Sequence, residues 1–155
     1  MPAEIFFYHL QRQPLEMALP RLLEKCLERG WKSFVQVGTP ERLKGLDAQL
    51  WTFRDDSFLA HGLAGQDHED KQPILMSSHP LPAANGVQVR FFVDGALPNT
   101  DLSLLEGLER AILMFDDQDE VTKQASRSCW KELKEKDFSV SYWKQTGGGG
   151  WEKLG

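Results

Sequence analysis

The sequence predicts a single α/β domain with a three-layer arrangement and a mostly parallel sheet that has mixed edge strands. Short apolar segments typical of strands alternate with longer segments of helical periodicity. The first apolar segment, residues 4–10, is nearly continuous, as in a strand buried inside a parallel sheet. A length of 155 residues suits one domain. We therefore predict one α/β domain over residues 1–146 and a flexible, glycine-rich tail over residues 147–155.

The first half of the chain contains two strand–helix units. The first strand is EIFFYHL, and the leucines of residues 15–27 follow it at helical spacing, with Pro20 either near the start of this helix or kinking it. The second strand is SFVQV, residues 33–37. Thr39 suits the N-cap and Pro40 the first position of a second helix, which we expect to end near Trp51.

The second half continues the alternation after an irregular stretch, residues 52–71. Apolar runs bounded by turn residues predict four further strands, at residues 73–77, 87–93, 111–115 and 138–143. Helical spacing predicts helices over residues 103–109 and 117–136. On the longer of these helices, Val121, Ala125, Cys129 and Leu133 form the predicted core-facing stripe.

The net charge limits which classes of molecule the protein is expected to bind, and the cysteine content indicates the cellular compartment. A formal net charge of -5 disfavours broad binding to nucleic acid, since an acidic surface repels phosphate. The two cysteines are far apart in the sequence, so a disulfide framework is not indicated. Neither a signal peptide nor an apolar run of about 18 residues is present. We expect a soluble, cytoplasmic protein that contacts no membrane.

Sites for cofactors, metals and catalysis are not indicated. The first strand-to-helix turn, residues 9–14, has no glycine, so backbone amides cannot surround a pyrophosphate there. The loop QDHEDK around His68 is better interpreted as a solvated charged loop than as a metal site. Ser57, Asp56 and His61 are residue types found in catalysis but lack a nucleophile-elbow context. We expect no catalytic residue, no cofactor and no metal.

An apolar segment follows the second helix. Residues 50–65 contain Trp51 and Phe58 together with several glycines and show no clear periodicity. One interpretation is a loop folded back on the core, which buries both aromatic side chains. The other is a partly exposed surface for a protein partner, since aromatic residues are common anchors of interfaces.

The long helix carries a basic face. At about 100° per residue, its cationic side chains and one tryptophan fall within a sector of about 100°: Lys123, Arg127, Trp130, Lys131 and Lys134. A solvated face is the simpler interpretation. The alternative is a receptor for a carboxylate or an acidic peptide, because Arg127 can bind a carboxylate with two hydrogen bonds and Trp130 can cover an apolar side chain.

Three segments resemble the chi subunit family of bacterial DNA polymerase III: EIFFYHL at the start, LDAQLWTFRDDSFLAHGLAG in the middle, and KQASRSCWKELKEKDFSVSYWKQ near the end. The family pattern is LW, a few residues, SF-x-PH and often LAG. Here it corresponds to Leu50-Trp51, Ser57-Phe58, Ala60-His61 and Leu63-Ala64-Gly65, with Ala60 in place of the proline.

This resemblance implies a non-catalytic α/β domain of nucleotide-binding-like (Rossmann-like) topology that binds no nucleotide and bridges two proteins. One is single-stranded-DNA-binding protein, whose acidic C-terminal tail ends in Pro-Phe; the other is the psi subunit or another clamp-loader or helicase-like protein. The residues that match the tail-binding set are Lys123, Arg127, Trp130 and Lys131. The residues that match the second partner's surface are Trp51, Phe58 and His61.

Two rivals to this adaptor hypothesis remain open at the sequence level. A small α/β enzyme acting on an anionic molecule requires Lys123 and Arg127 to converge on a deep pocket with an acid or a base. An adaptor requires a shallow groove. Direct binding to DNA is disfavoured by the net charge and predicts a steep salt dependence on DNA alone.

Overall fold

The computed structural model describes residues 4–10, 15–51, 61–64, 71–81, 86–98, 102–116, 120–145 and 151–154, with the backbone alone of residue 51. The strands are β1 (Glu4–Leu10), β2 (Ser33–Val37), β3 (Gly62–Leu63), β4 (Ile74–Ser77), β5 (Val89–Val93), β6 (Arg110–Asp116), β7 (Ser139–Gln145) and β8 (Trp151–Lys153). The helices are α1 (Leu15–Glu28), α2 (Pro40–Trp51) and α3 (Glu120–Glu135), with a 3₁₀ helix at Leu102–Leu105.

The eight strands form one sheet in the order β3-β4-β2-β5-β6-β1-β7-β8. Strand β1 lies inside it, paired in parallel with β6 on one side and β7 on the other, so that Ile5 is opposite both Ala111 and Val140. Within the described ranges, β8 alone runs antiparallel, on β7. The predicted α/β class, the mostly parallel sheet and the internal position of the first strand are confirmed.

Helices cover both faces of the sheet. Because side chains alternate along a strand, β1 directs Tyr8 and Leu10 to one face and Ile5 and Phe7 to the other. The first face packs against α1 and α2, and the second packs against α3 and the 3₁₀ helix. The predicted three-layer arrangement follows from this division.

The start of α2 agrees with its predicted capping. The side-chain oxygen of Thr39 accepts a hydrogen bond from the backbone N–H of Arg42, at 3.2 Å. The helix begins at Pro40, where a missing N–H costs nothing. Helix α1 also contains a proline, Pro20, but runs without a break from Leu15 to Glu28.

Two predicted features of the second half are wrong. The segment predicted as a helix over residues 103–109 forms only the 3₁₀ turn, which is followed by Gly107 in the left-handed region at a φ of 79°. Val121 was predicted to face the core, but it is 81 % exposed. The buried stripe of α3 consists of Ser126, Cys129 and Leu133.

The C-terminal segment also differs from the prediction. Residues Trp151–Lys153, assigned above to a flexible tail, form β8. This strand completes hydrogen bonds at the edge of β7, and the ring of Trp151 contacts the ring of Tyr8, with 4.7 Å between centroids. Pairing and aromatic burial together explain the order of this segment. In the described part of the chain, no helix is long and apolar enough to cross a bilayer.

Candidate functional site

The carboxyl ends of β1 and β6 form the position where α/β sheets often bind ligands. The chain leaves β1 through α1 on one face and leaves β6 through α3 on the other, which opens a crevice between them. This crevice measures about 120 Å³, and its lining includes Glu16, Asp94 and Asp116. Ligand pockets usually measure about 300–1,000 Å³. The small volume and the carboxyl groups make this crevice unsuitable for a nucleotide phosphate.

An arginine connects the elements around this crevice. The Nε–H of Arg42, on α2, donates to Oδ2 of Asp94 at 3.1 Å, and another guanidinium N–H donates to Oε1 of Glu16 on α1. Burial raises the pKa of the Asp94 carboxyl, and the charge of Arg42 opposes this shift. Burial is also the largest single influence on the pKa of Glu16 and acts to raise it. The hydrogen bond from Arg42, a backbone hydrogen bond and the charge of Arg42 together outweigh burial, so this pKa lies below its ordinary value.

The Arg42 pairs make the stability of the fold depend on pH. The pairs act only when the carboxyls are ionised, so we expect Arg42→Gln to cost about 1 kcal/mol at about pH 7 and less at about pH 4. The cost is kept small because the Arg42 side chain is 43 % exposed. Urea denaturation at the two pH values measures the difference, with Arg21→Gln as the control for an exposed arginine of α1. An equal loss of stability at both pH values would show that the ion pairs contribute nothing.

A larger groove lies on the other side of the sheet, between α3 and the strands β1, β7 and β8. Its volume is about 760 Å³. It is lined by His9, Gln124, Arg127, Ser128, Trp130, Lys131, Lys134, Tyr142, Lys144 and Leu154.

Helical and strand periodicity bring these residues together. Helix α3 packs its buried stripe on the sheet, so the neighbouring flank of the helix, with Arg127, Trp130 and Lys131, borders the groove. On β7, Tyr142 and Lys144 are two residues apart and therefore point to the same face. The groove is the space between one helix flank and one strand face.

The groove is strongly cationic. Four of its lining side chains are basic, Arg127, Lys131, Lys134 and Lys144, and none of its lining residues within the described ranges is acidic. None of these four residues forms an ion pair with a carboxylate in the described part of the chain. Within the described ranges, an anion in the groove therefore meets four cations that are not held in ion pairs.

An aromatic surface accompanies these cations. Trp130 is partly buried against the core beneath α3, and the ammonium of Lys134 lies 4.5 Å from the centre of its ring. Tyr142 Oη lies 2.9 Å from Nδ1 of His9, whose ring stacks on Phe115 at 4.8 Å between centroids. Packing and hydrogen bonding thus fix the aromatic surface before any ligand arrives.

Three of the four residues predicted to bind the acidic tail lie together in the groove: Arg127, Trp130 and Lys131. Lys123 does not line it, and its ammonium lies 3.9 Å from the carboxylate of Glu120. Lys134 belongs to the basic sector predicted for the long helix, and it also lines the groove. Tyr142 and Lys144 line the groove and were not among the predicted residues, although strand alternation puts them on one face.

The residues predicted for a second partner are only partly described. His61 comes directly before β3, but its side chain is fully buried, and Nε2 lies 2.9 Å from Oδ1 of Asp47 on α2. The prediction of a surface position for His61 is therefore corrected: the imidazole ties the segment before β3 to α2. Phe58 and the side chain of Trp51 lie outside the described residues, so their role stays a prediction.

Comparisons with known proteins identify the family. The family described as DNA polymerase III chi subunit, HolC, matches residues 1–141. A "Probable DNA polymerase III subunit chi" of Rickettsia prowazekii is 30% identical over 108 residues, which cover 70% of this chain and 62% of that protein. The "DNA polymerase III subunit chi" of Pseudomonas aeruginosa is 30% identical over 60 residues, which cover 39% of this chain and 42% of that protein.

The two matched segments span less than two thirds of the length of these relatives. The family match is longer, since it includes β1, both helices of the first face and the whole of α3. The family is that of an accessory replication subunit rather than a catalytic one, which removes the support for the enzyme alternative. The chain belongs to the DNA polymerase III chi subunit family.

Proposed function

We propose that this protein links the clamp loader to single-stranded-DNA-binding protein by binding the latter's acidic C-terminal tail in the groove between α3 and β7. The observation that carries the proposal is the composition of this groove: four basic side chains around half-buried aromatic rings, and no acidic residue in its described lining. The setting that we propose for this function is the cytoplasm.

The lining suits a peptide that ends in a carboxylate next to an apolar side chain. The guanidinium of Arg127 can bind a carboxylate through two parallel hydrogen bonds. The exposed ammonium groups of Lys131 and Lys134 can pair with acidic side chains further along the peptide. Trp130 and Tyr142 present ring surface for an apolar terminal residue such as phenylalanine.

The order of the strands supports a linking role. The groove lies at the β7–β8 end of the sheet, whereas His61 and β3 lie at the opposite end. At about 4.8 Å between neighbouring strands, the two ends of an eight-stranded sheet are about 30 Å apart. A psi subunit, or another clamp-loader or helicase-like protein, can then bind near the segment that contains His61 while the groove remains accessible.

Direct binding to DNA is not part of this proposal. The cations are concentrated in one groove of a protein whose net charge is -5, so a long phosphate backbone would meet repulsion over much of the surface. A short peptide with a few carboxylates needs only the groove itself.

The test uses two versions of one acidic peptide that ends in Pro-Phe, one with a free C-terminal carboxylate and one with an amidated C-terminus. In fluorescence anisotropy we expect the free acid to bind, with an affinity that falls as salt is added. We expect amidation to remove most of the binding, because it removes the charge that Arg127 pairs with. Equal binding of the two peptides would show that the groove is not a carboxylate receptor.

A single-stranded oligonucleotide of similar net charge is the control for unspecific attraction. We expect it to bind more weakly than the free-acid peptide and not to compete with it. Tighter binding of the oligonucleotide would assign the groove to nucleic acid and overturn the proposal.

A further inference from the structure

The groove continues past the end of the family match. The match covers residues 1–141, whereas Tyr142, Lys144 and Leu154 lie beyond it and line the groove. Part of one wall is therefore built by residues that follow the end of the matched segment.

Strand β8 holds this wall in place by three kinds of contact. Its register on β7 pairs Gln145 with Trp151 and Trp143 with Lys153. The backbone N–H of Leu154 donates to the carbonyl of Tyr142 at 2.7 Å. On the opposite face of the sheet, the ring of Trp151 packs against Tyr8 and so anchors the strand.

This pairing directs Leu154 into the groove. The register places Leu154 across from Tyr142, and residues opposite each other in an antiparallel pair share a face. Both side chains accordingly line the groove, which Trp130 on α3 also lines. Leu154 is 53 % exposed, so a large part of its apolar surface is free to contact a ligand.

We propose that β8 forms the second wall of the acidic-peptide groove and that Leu154 selects an apolar side chain at the end of the bound peptide. The proposal rests on the proposed function, because it names a specificity residue for that same site. Trp130 lines the groove from α3, and Leu154 lines it from the segment after β8. An apolar side chain of the peptide that contacts both residues loses water on two of its faces.

A carboxylate on the same strand limits the strength of binding. Glu152 is opposite Lys144 in the β7–β8 pair and shares its face. Its negative charge lies beside the cations of the groove and opposes an incoming carboxylate. We expect Glu152→Gln to raise the affinity for the acidic peptide by about two- to threefold at low salt and to lose this effect at high salt.

The decisive variant is Leu154→Ser, tested against two acidic peptides that end in Phe or in Ala. We expect the variant to lower affinity for the Phe peptide by about five- to tenfold and to change affinity for the Ala peptide little. Val121→Ser is the matched control, because it also replaces an exposed apolar side chain, but outside the groove. Since Leu154 is largely exposed, neither variant is expected to disturb folding.

Two outcomes separate this proposal from the function on which it rests. If the wild-type protein binds neither peptide, the proposed function fails and the role of Leu154 fails with it. If the wild type binds the Phe peptide and Leu154→Ser binds both peptides as the wild type does, the tail-binding function stands and the selective wall is wrong. Hydrogen exchange at the Leu154 amide is a separate measurement: slow exchange without peptide supports a preformed wall, and unprotected exchange overturns it.

Discussion

Replacing Arg127 with alanine is expected to lower the affinity for the free-acid peptide by about ten- to a hundredfold. A hydrogen bond to a charged group contributes about 1.5–3 kcal/mol, and Arg127 can form two of them with one carboxylate. Its side chain is exposed at the groove and has no carboxylate partner in the described part of the protein, so binding breaks no ion pair among the described residues.

Lys123→Ala is the matched control for this experiment. Lys123 is one turn away on the same helix, but it does not line the groove and already lies close to Glu120. We expect its replacement to change affinity by less than about threefold, the range of an exposed charge pair. Anisotropy titrations of both variants, with circular dichroism to verify folding, compare the two positions. Equal losses at Lys123 and Arg127 would mean that the peptide binds along the outer helix face and not in the groove.

Replacing Gly38 with alanine is expected to destabilise the fold by about 3 kcal/mol or more. A Cβ atom at this position would lie 1.9 Å from the backbone oxygen of Asp94 and 2.8 Å from its backbone carbon. Backbone atoms cannot rotate away as a side chain can, and the N–H of Gly38 is also bonded to the carbonyl of Val93 at 3.1 Å. The substitution must therefore move the turn after β2 away from the end of β5.

Gly45→Ala is the control for the Gly38 variant and is expected to have the opposite sign. Gly45 lies inside α2, where a Cβ atom would meet only the guanidinium of Arg42, at 3.9 Å. Alanine in a helix interior is more favourable than glycine by about 0.5–1 kcal/mol. Urea denaturation with unchanged m-values measures both effects. A Gly38 variant as stable as the wild type would contradict the close approach of the two turns.

Patterns of neighbouring residues predicted correctly the strands and helices that such patterns are sufficient to specify. The apolar run of β1, the Thr39 cap with Pro40 and the periodicity of α3 each depend on neighbouring residues, and each element forms where it was expected. The helix predicted over residues 103–109 was wrong because its apolar spacing is shared by a short turn that Gly107 ends. Val121 was misplaced because a helical wheel shows which residues share a face and not which of them another element covers.

The candidate site was predictable only where its residues lie close together in the sequence. The basic face of α3 is a property of one helix, and its spacing identified Arg127, Trp130 and Lys131. The buried position of His61 depends on Asp47, fourteen residues away on another element, and no local pattern indicates it. The wall formed by Leu154 depends on the pairing of β8 with β7. The sequence did not indicate this pairing, because the glycine run at residues 147–150 favoured the prediction of a flexible tail.

The sequence by itself determined that this chain forms an α/β domain with a cationic helix face, because helix and strand periodicities are set by residues close together in the chain. The tertiary structure decided the order of the strands, the need for glycine at residue 38 and the division of the basic residues between the groove and the outer face. These features arise from contacts between segments far apart in sequence: the turn after β2 meets the end of β5, and β8 meets β7 beside α3. Only when the chain has folded do Arg127, Tyr142 and Leu154 border one groove, because each belongs to a different element of the fold.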